Sequence, residues 1–297
     1  MSWLEVFRIA ARALLRNKTR SFLTTLGIII GVGAVIAVVA IGAGAKAQVA
    51  NAFASMGSNV LVVMSGSASS GGARGGFGSM PTLTWDDLKA IQTEVPSVRY
   101  AAPVLRAGTQ ILSEDQNWTT SVQGTTPDYL DIRNWQVAQG ERFSESDVEA
   151  GNKVALLGVT VVDKLFGAGA DPVGQMVRIK NVPFQVIGVL QKKGQSPMGQ
   201  DYDDVALVPA STFLAKVQGG LGKFVNGAIQ VGAISPEATG RAEKEISELL
   251  RDRHRIPPGM EDDFQTRNLT EIASAQESST RTLTLFLLIT AAVAGLG

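Results

Sequence analysis

The residues best equipped for chemistry gather in three places. His254, the single histidine of the chain, stands in Arg251-Asp252-Arg253-His254-Arg255, just before Pro257-Pro258-Gly259. An imidazole acts as a base or a metal ligand only beside suitable partners, and a charged run is usually a solvated face, so the sequence predicts a surface loop here. Asp203-Asp204 and Glu261-Asp262-Asp263 offer oxygen ligands for a hard cation. Adjacent carboxylates lack the spacing of a calcium-binding loop, however, and are expected in exposed turns. The absence of cysteine excludes disulfides, thiolate zinc sites, iron–sulfur clusters and a cysteine nucleophile. No G-x-S-x-G elbow occurs, and neither Gly-rich stretch carries the Lys-Ser/Thr ending of a phosphate-binding loop. The expectation is a chain with no catalytic, cofactor-binding or metal residues.

Composition points elsewhere. Hydrophobic residues make up 45% of the 297 positions, enough to bury a sizeable core, and 27 bases balance 27 acids. That balance gives no support to a nucleic-acid partner. The signs are sorted along the chain: six bases face one acid before residue 47, whereas 20 bases face 26 acids between residues 47 and 280. Such sorting is what a membrane-crossing chain tends to show.

From Phe22 to Gly44 the sequence reads FLTTLGIIIGVGAVIAVVAIGAG without an ionisable residue, long enough for a spanning helix. A cleaved signal is the alternative, because Ala43-Gly44-Ala45 has small residues in alternation, but a signal's apolar core is only about 7 to 15 residues. Arg8, Arg12, Arg16, Lys18 and Arg20 precede the run and only Lys46 follows closely, which predicts a cytoplasmic N-terminus and an outward-facing remainder. In the leader, helical spacing puts Glu5, Arg8, Arg12 and Arg16 on one face, and Trp3, Phe7, Ala10 and Leu14 on the other. This pattern suits an interfacial helix, with Lys18 and Arg20 at its end. Gly27 and Gly31 form a G-x-x-x-G, which lets helices approach closely where lipid supplies no hydrophobic drive.

Beyond the span, Asn59 to Met64 reads as a strand, Ser65 to Ser79 as an irregular Gly/Ser loop, and Thr84 as the cap of a helix running to about Glu94. Strands are expected at Tyr100 to Leu112 and Trp118 to Gln123. Ser235 with Pro236 opens a helix whose apolar stripe is Ala238, Ala242, Ile246, Leu249 and Leu250, and a strand near Phe264 to Arg267 pairs back. This order predicts a split α+β domain. Between its halves, residues 130 to 225 read as short strands at Lys153 to Leu157, Met176 to Lys180, Phe184 to Leu190 and Val205 to Val208, with little helix: a small β-rich insertion. Leu269 to Thr282 should form a polar helix running into the apolar end, whose sixteen residues from Thr282 reach about 24 Å of a hydrocarbon core of ~30 Å. The expectation is a chain cut within a second span.

Asn17-Lys18-Thr19-Arg20-Ser21-Phe22-Leu23-Thr24-Thr25-Leu26-Gly27-Ile28-Ile29-Ile30-Gly31 resembles the entry to the first span of macrolide-exporter permeases, the MacB/FtsX-like ABC transporter family. Val122-Gln123-Gly124-Thr125-Thr126-Pro127-Asp128-Tyr129, Gly140-Glu141-Arg142-Phe143, Leu165-Phe166-Gly167, Pro172-Val173-Gly174 and Phe184-Gln185-Val186-Ile187-Gly188-Val189-Leu190 resemble that family's periplasmic core in order and spacing. The resemblance covers nearly the whole chain.

It implies an α+β membrane protein with a cytoplasmic interfacial helix (1–20), a first transmembrane helix (21–45) and an extracytoplasmic domain. In that domain a porter-like part (46–128 and 227–268) is split by a sabre-like part (129–226). A stalk helix (269–281) leads into a truncated second transmembrane helix (282–297). By the same resemblance the chain is a non-catalytic subunit in the bacterial inner membrane, paired with a second permease subunit. A separate ATP-binding cassette subunit would drive it, with a periplasmic adaptor and an outer-membrane channel as further partners and no cofactor of its own. ATP-driven movement of the outward domain, or mechanotransmission, would expel drugs, peptides or lipopeptides. A lipoprotein-releasing permease, an FtsX-like regulator of cell-wall hydrolases and a membrane-anchored sensor are the alternatives.

Overall fold

The computed structural model describes residues 3, 17–56, 59–66, 69–70, 73–74, 80–196, 199–219, 222–269, 282 and 286. They fall into two compact units, one drawn from residues 1–50 and 274–297, the other formed by residues 51–273.

In the first unit, the apolar run is helical throughout. Helix α1 spans Lys18–Met56, and its stretch Ser21–Gly44 has 24 residues of mean hydropathy 2.7, none of them buried within the chain. At ~1.5 Å per residue it is about 36 Å long, enough to cross a hydrocarbon core of ~30 Å with tilt. The helix does not end with the apolar run but continues past Lys46. Phe7, Arg8, Arg12, Leu14 and Arg16 of the expected interfacial helix lie outside the described residues, as does most of the expected stalk and terminal span. Trp3, Leu269, Thr282 and Phe286 are helical.

The second unit is organised by one mixed sheet. Its strands are β1 (Val60–Ser65), β4 (Val98–Leu112), β5 (Asn117–Thr125), β6 (Val137–Gly140), β7 (Val154–Leu157), β8 (Met176–Ile179), β9 (Val182–Leu190), β10 (Val205–Pro209), β11 (Gly227–Ala233) and β12 (Phe264–Asn268). They lie in the order β12-β1-β11-β4-β5-β10-β7-β9-β6, with β8 pairing both β4 and β9. Short strands β2 (Ser69–Ser70) and β3 (Ala73–Arg74) form a separate hairpin in the Gly/Ser stretch expected to be irregular.

Both sheet faces are buried, and alternation along the strands sorts residues between them. In β4, Ala101 and Leu105 face one core, and Ala102 and Val104 the other; in β10, Ala206 and Val208 alternate with Val205 and Leu207 in the same way. All five residues of β10 are buried, the near-continuous apolar pattern of a strand covered on both faces. Helices α2 (Trp85–Glu94), α5 (Val159–Leu165) and α7 (Thr239–Arg253) cover the first face through Leu88, Ile91, Val161, Leu165, Ala242, Ile246 and Leu250. On the second face lies α3 (Asp128–Ile132) with Tyr129, Leu130 and Ile132.

Two expectations are corrected here. The stretch 130 to 225 is not poor in helix: besides α3 and α5 it holds α4 (Glu145–Ala150) and α6 (Ala210–Thr212), which continues as a π-helix, Phe213–Gln218. The start of α4 follows from a capping box in which Ser144 and Asp147 satisfy each other's backbone amides. This stretch also shares the sheet of its flanks, since β10 runs parallel to β5 in direct register. The second correction concerns Ser235, which makes no side-chain cap. The turn Pro236–Ala238 is 3₁₀, and the Thr239 hydroxyl donates to the Pro236 carbonyl at 2.7 Å.

Where β5 passes the π-helix, Gly124 leaves room for the Phe213 ring, and a Cβ there would overlap Phe213 Cβ. Phe213 is fully buried and cannot retreat. Gly124→Ala should therefore lower unfolding stability by about 1–3 kcal/mol, read as a denaturant midpoint, and Gly124→Ala/Phe213→Leu should lose less than the sum of the single changes.

Candidate functional site

His254 does not lie in an exposed loop. It caps the end of α7 with a side chain only 10% exposed, with Nδ1 2.7 Å from Asp263 Oδ1 and Nε2 3.1 Å from Asp87 Oδ2. Asp87, 4% exposed at its side chain, also takes the Arg253 Nε–H at 2.7 Å. As the third residue of α2 it completes a capping box with Thr84, accepting the Thr84 amide at 2.8 Å and the Thr84 hydroxyl at 2.6 Å. Burial pushes the Asp87 carboxyl up, but the donors from Thr84, Arg253 and His254 prevail and hold it at about 2. Burial likewise pulls His254 down, and the two carboxylates reverse this, so it lies above the ordinary imidazole value. Both ring nitrogens face carboxylates. Neither is available to take a proton from a hydroxyl, so the cluster is a clamp and not a catalytic relay.

Of the other acidic pairs, Asp203-Asp204 lies inward, whereas Glu261 and Asp262 are exposed as expected. Asp203 is 2% exposed and accepts the backbone amides of Lys193 at 2.7 Å and Gly194 at 2.9 Å. Asp204 accepts the Trp118 indole N–H at 2.8 Å, and Asp262 pairs with Arg251. Beside Asp203, burial brings the Lys193 ammonium down to about 8, with the Arg133 charge adding to the effect and Asp203 opposing it. Its Nζ donates to the Arg133 carbonyl at 2.6 Å and lies 5.4 Å from the Trp135 ring. The corrections at His254 and at Asp203-Asp204 share a reason: each group is held by partners distant in sequence or on a returning loop. Among the described residues no group of three or more His, Asp or Glu is placed to hold a metal ion.

A cleft of about 730 Å³ opens where α2, α3, α4 and the π-helix converge over β4. Leu88, Val148, Ala210 and Leu214 form apolar walls, Trp85 and Tyr100 add aromatic faces, and Asp128 and Glu145 bring carboxyls. The size falls within the range of small-molecule sites. The sequence carried no signal for it, because its walls come from segments more than a hundred residues apart.

With this sheet and cleft in place, comparison with known sequences is decisive. The profile of the MacB-like periplasmic core domain matches residues 21–249. The chain belongs to the MacB-like periplasmic core domain family. Its relatives include proteins named macrolide export ATP-binding/permease protein MacB. The one from Syntrophobacter fumaroxidans is 38% identical over 335 residues, covering 96% of this chain and 47% of that protein. The one from Azoarcus sp. is 38% identical, covering 97% and 42%. The chain thus spans about half the length of these curated relatives. Among solved structures, the periplasmic region of MacB from Actinobacillus actinomycetemcomitans aligns with a TM-score of 0.60 at 23% identity, over 75% of this chain and 95% of that one. The extracellular domain of the noncanonic ABC-type transporter YknZ aligns at 0.53 and 19% identity, over 71% and 100%. The mixed sheet with its helices is thus a MacB-type periplasmic fold.

The residues predicted to pack or anchor the MacB-like chain in a membrane are placed only in part. Trp3 is helical and 91% exposed, and Lys18 and Arg20 lie in the first turn of α1. Gly27 and Gly31 sit one turn apart in the same helix, and a Cβ added at Gly27 would meet nothing within 4 Å.

The clamp makes stability depend on pH with a definite sign. Asp87, depressed from 3.8, contributes above its ordinary value, and that contribution is lost as pH falls toward 2. His254, raised above 6.5, contributes below that value and loses its contribution as pH rises through the folded-state pKa. Denaturant midpoints from about pH 5 to about pH 9 should fall on the alkaline side in the native chain and flatten in His254→Gln. Asp87→Asn should cost about 3 kcal/mol at neutral pH.

Proposed function

We propose that this chain is the permease part of an ABC-type exporter in the bacterial inner membrane. In this reading the N-terminus is cytoplasmic and residues beyond the first span form the outward domain. The observation that carries the proposal is the direct chain connection from an apolar helix long enough to span the bilayer, Ser21–Gly44, into β1 of a MacB-type periplasmic sheet. α1 continues to Met56 and β1 begins at Val60. A helix needs few intervening residues to pass force to a sheet, and this linker is short.

An ATP-binding cassette partner would supply that force through a permease dimer, and movement of the outward domain would expel drugs, peptides or lipopeptides by mechanotransmission. A periplasmic adaptor and an outer-membrane channel would receive them. The curated relatives are named for both ATP-binding and permease activities, which supports the coupling. Within the outward domain, residues 46–128 and 227–268 would form the porter-like part and 129–226 the sabre-like part, with 269–281 as the stalk. Trp3, Phe7, Arg8, Arg12, Leu14, Arg16, Lys18 and Arg20 would lie along the inner membrane surface, and Gly27 and Gly31 would pack α1 against a neighbouring helix. The chemistry of this subunit would be binding and movement, with hydrolysis left to the cassette.

The chain has no cysteine, so single cysteines report sidedness cleanly. A membrane-impermeant maleimide should label Glu114→Cys in intact spheroplasts and Lys18→Cys only after the membrane is opened; the reverse pattern overturns the orientation. The native protein, drawn from detergent-solubilised membranes, should bring an ATP-binding cassette with it. Repeated recovery of folded protein without one would favour a sensor or scaffold instead.

A further inference from the structure

The cleft over β4 has spent most of its polar groups on the protein itself. Trp85 Nε1 donates to the Gly222 carbonyl at 3.2 Å, Gln92 Nε2 to the Ala101 carbonyl at 2.7 Å, and the Ser211 hydroxyl to the Val148 carbonyl. What remains is the Thr126 hydroxyl, buried without a hydrogen-bond partner, the Arg99 guanidinium, and two carboxyls, since neither Asp128 nor Glu145 accepts a hydrogen bond from a described residue. Burial and the charge of Asp131 raise Asp128, with Arg142 opposing; burial and the charges of Asp128 and Glu149 raise Glu145. Arg142 is engaged with Asp131 at 3.2 Å, and the Arg99 guanidinium lies 5.6 Å from the Tyr100 ring. Acids in a first helical turn stabilise that turn, which accounts for Asp128 in α3 and Glu145 in α4 separately. It does not account for two short helices bringing unpartnered carboxyls into one apolar-walled cleft.

We propose that this cleft binds an apolar monovalent cation, a small molecule whose hydrophobic body rests on Trp85, Leu88 and Leu214 while Asp128 and Glu145 hold its charge. A peptide fits less well. Each of its residues brings a backbone donor and acceptor, and the cleft has few unspent groups to receive them. A ligand with few polar atoms and a single positive centre loses least on entering, and the Trp85 ring attracts a cation further. The statement concerns binding to the outward domain, so it can fail while the export reading stands, and the reverse.

Tetraphenylphosphonium and tetraphenylborate have nearly the same shape and opposite charge, and neither titrates. With the full chain in lipid nanodiscs and empty discs subtracted, calorimetry should show saturable binding of the phosphonium and none of the borate. Asp128→Asn/Glu145→Gln should weaken the phosphonium by about tenfold or more, whereas Glu114→Gln/Glu248→Gln, which removes the same charge elsewhere, should not. Val148→Trp, which fills the cleft and keeps both carboxyls, should weaken it as well. Affinity should also fall as pH is lowered through the raised range of the two carboxyls. Thermal melting verifies that each variant is folded. Absence of saturable phosphonium binding, equal binding by the folded acid variant, or equal binding of the borate would overturn the proposal.

Discussion

Asp87 is a carboxylate with almost no access to water, and burying such a charge is costly unless donors surround it. Its donors come from two parts of the chain, and one of them reaches a third. Thr84 starts α2, Arg253 and His254 end α7, and His254 carries the link on to Asp263, one residue before β12. The imidazole also meets the Phe264 ring edge-on, with centroids 6.0 Å apart. Two helices and an edge strand are thereby held in one relative position by a charge that cannot be left alone. β12 pairs antiparallel with β1, Phe264 opposite Ser65, so the clamp lies at the end of β1 remote from α1.

The sheet translates that local order across the molecule. β4 runs for fifteen residues, pairing with β11 along its first part and with β5 and β8 further on. β5 in turn adjoins β10. The strands that follow α1 and those of the middle stretch therefore belong to a single hydrogen-bonded surface. The cleft sits over β4 and borrows walls from α2 on one side and α3, α4 and the π-helix on the other. A π-helical turn is a strained choice, often retained where function needs a displaced side chain; here it sets Leu214 in the cleft wall while Phe213 fills the space left by Gly124.

Membership of the MacB-like periplasmic core domain family gives these features their setting. A ligand bound across α2, α3 and α4 in the cleft would favour whichever arrangement brings those helices together.

Much of this was legible in the sequence. The apolar run needed only length and the absence of charge, because a bilayer imposes a one-dimensional requirement. β1, β4, β5 and β12 followed from alternation, and α2 from Thr84 and its acids, because caps and periods are local. The helices of the middle stretch were missed because α3, α4 and α6 are too short to show a helical period. His254 and Asp203 were misplaced for a different reason: Asp87 and His254 are 167 positions apart, and a charge cluster looks solvated until the fold supplies its partner. By itself, then, the sequence determined the long apolar helix, the strand pattern and the family, all written in neighbouring residues. Only the tertiary structure decided which charges are buried and where the cleft lies, because those depend on segments that meet only when the sheet closes.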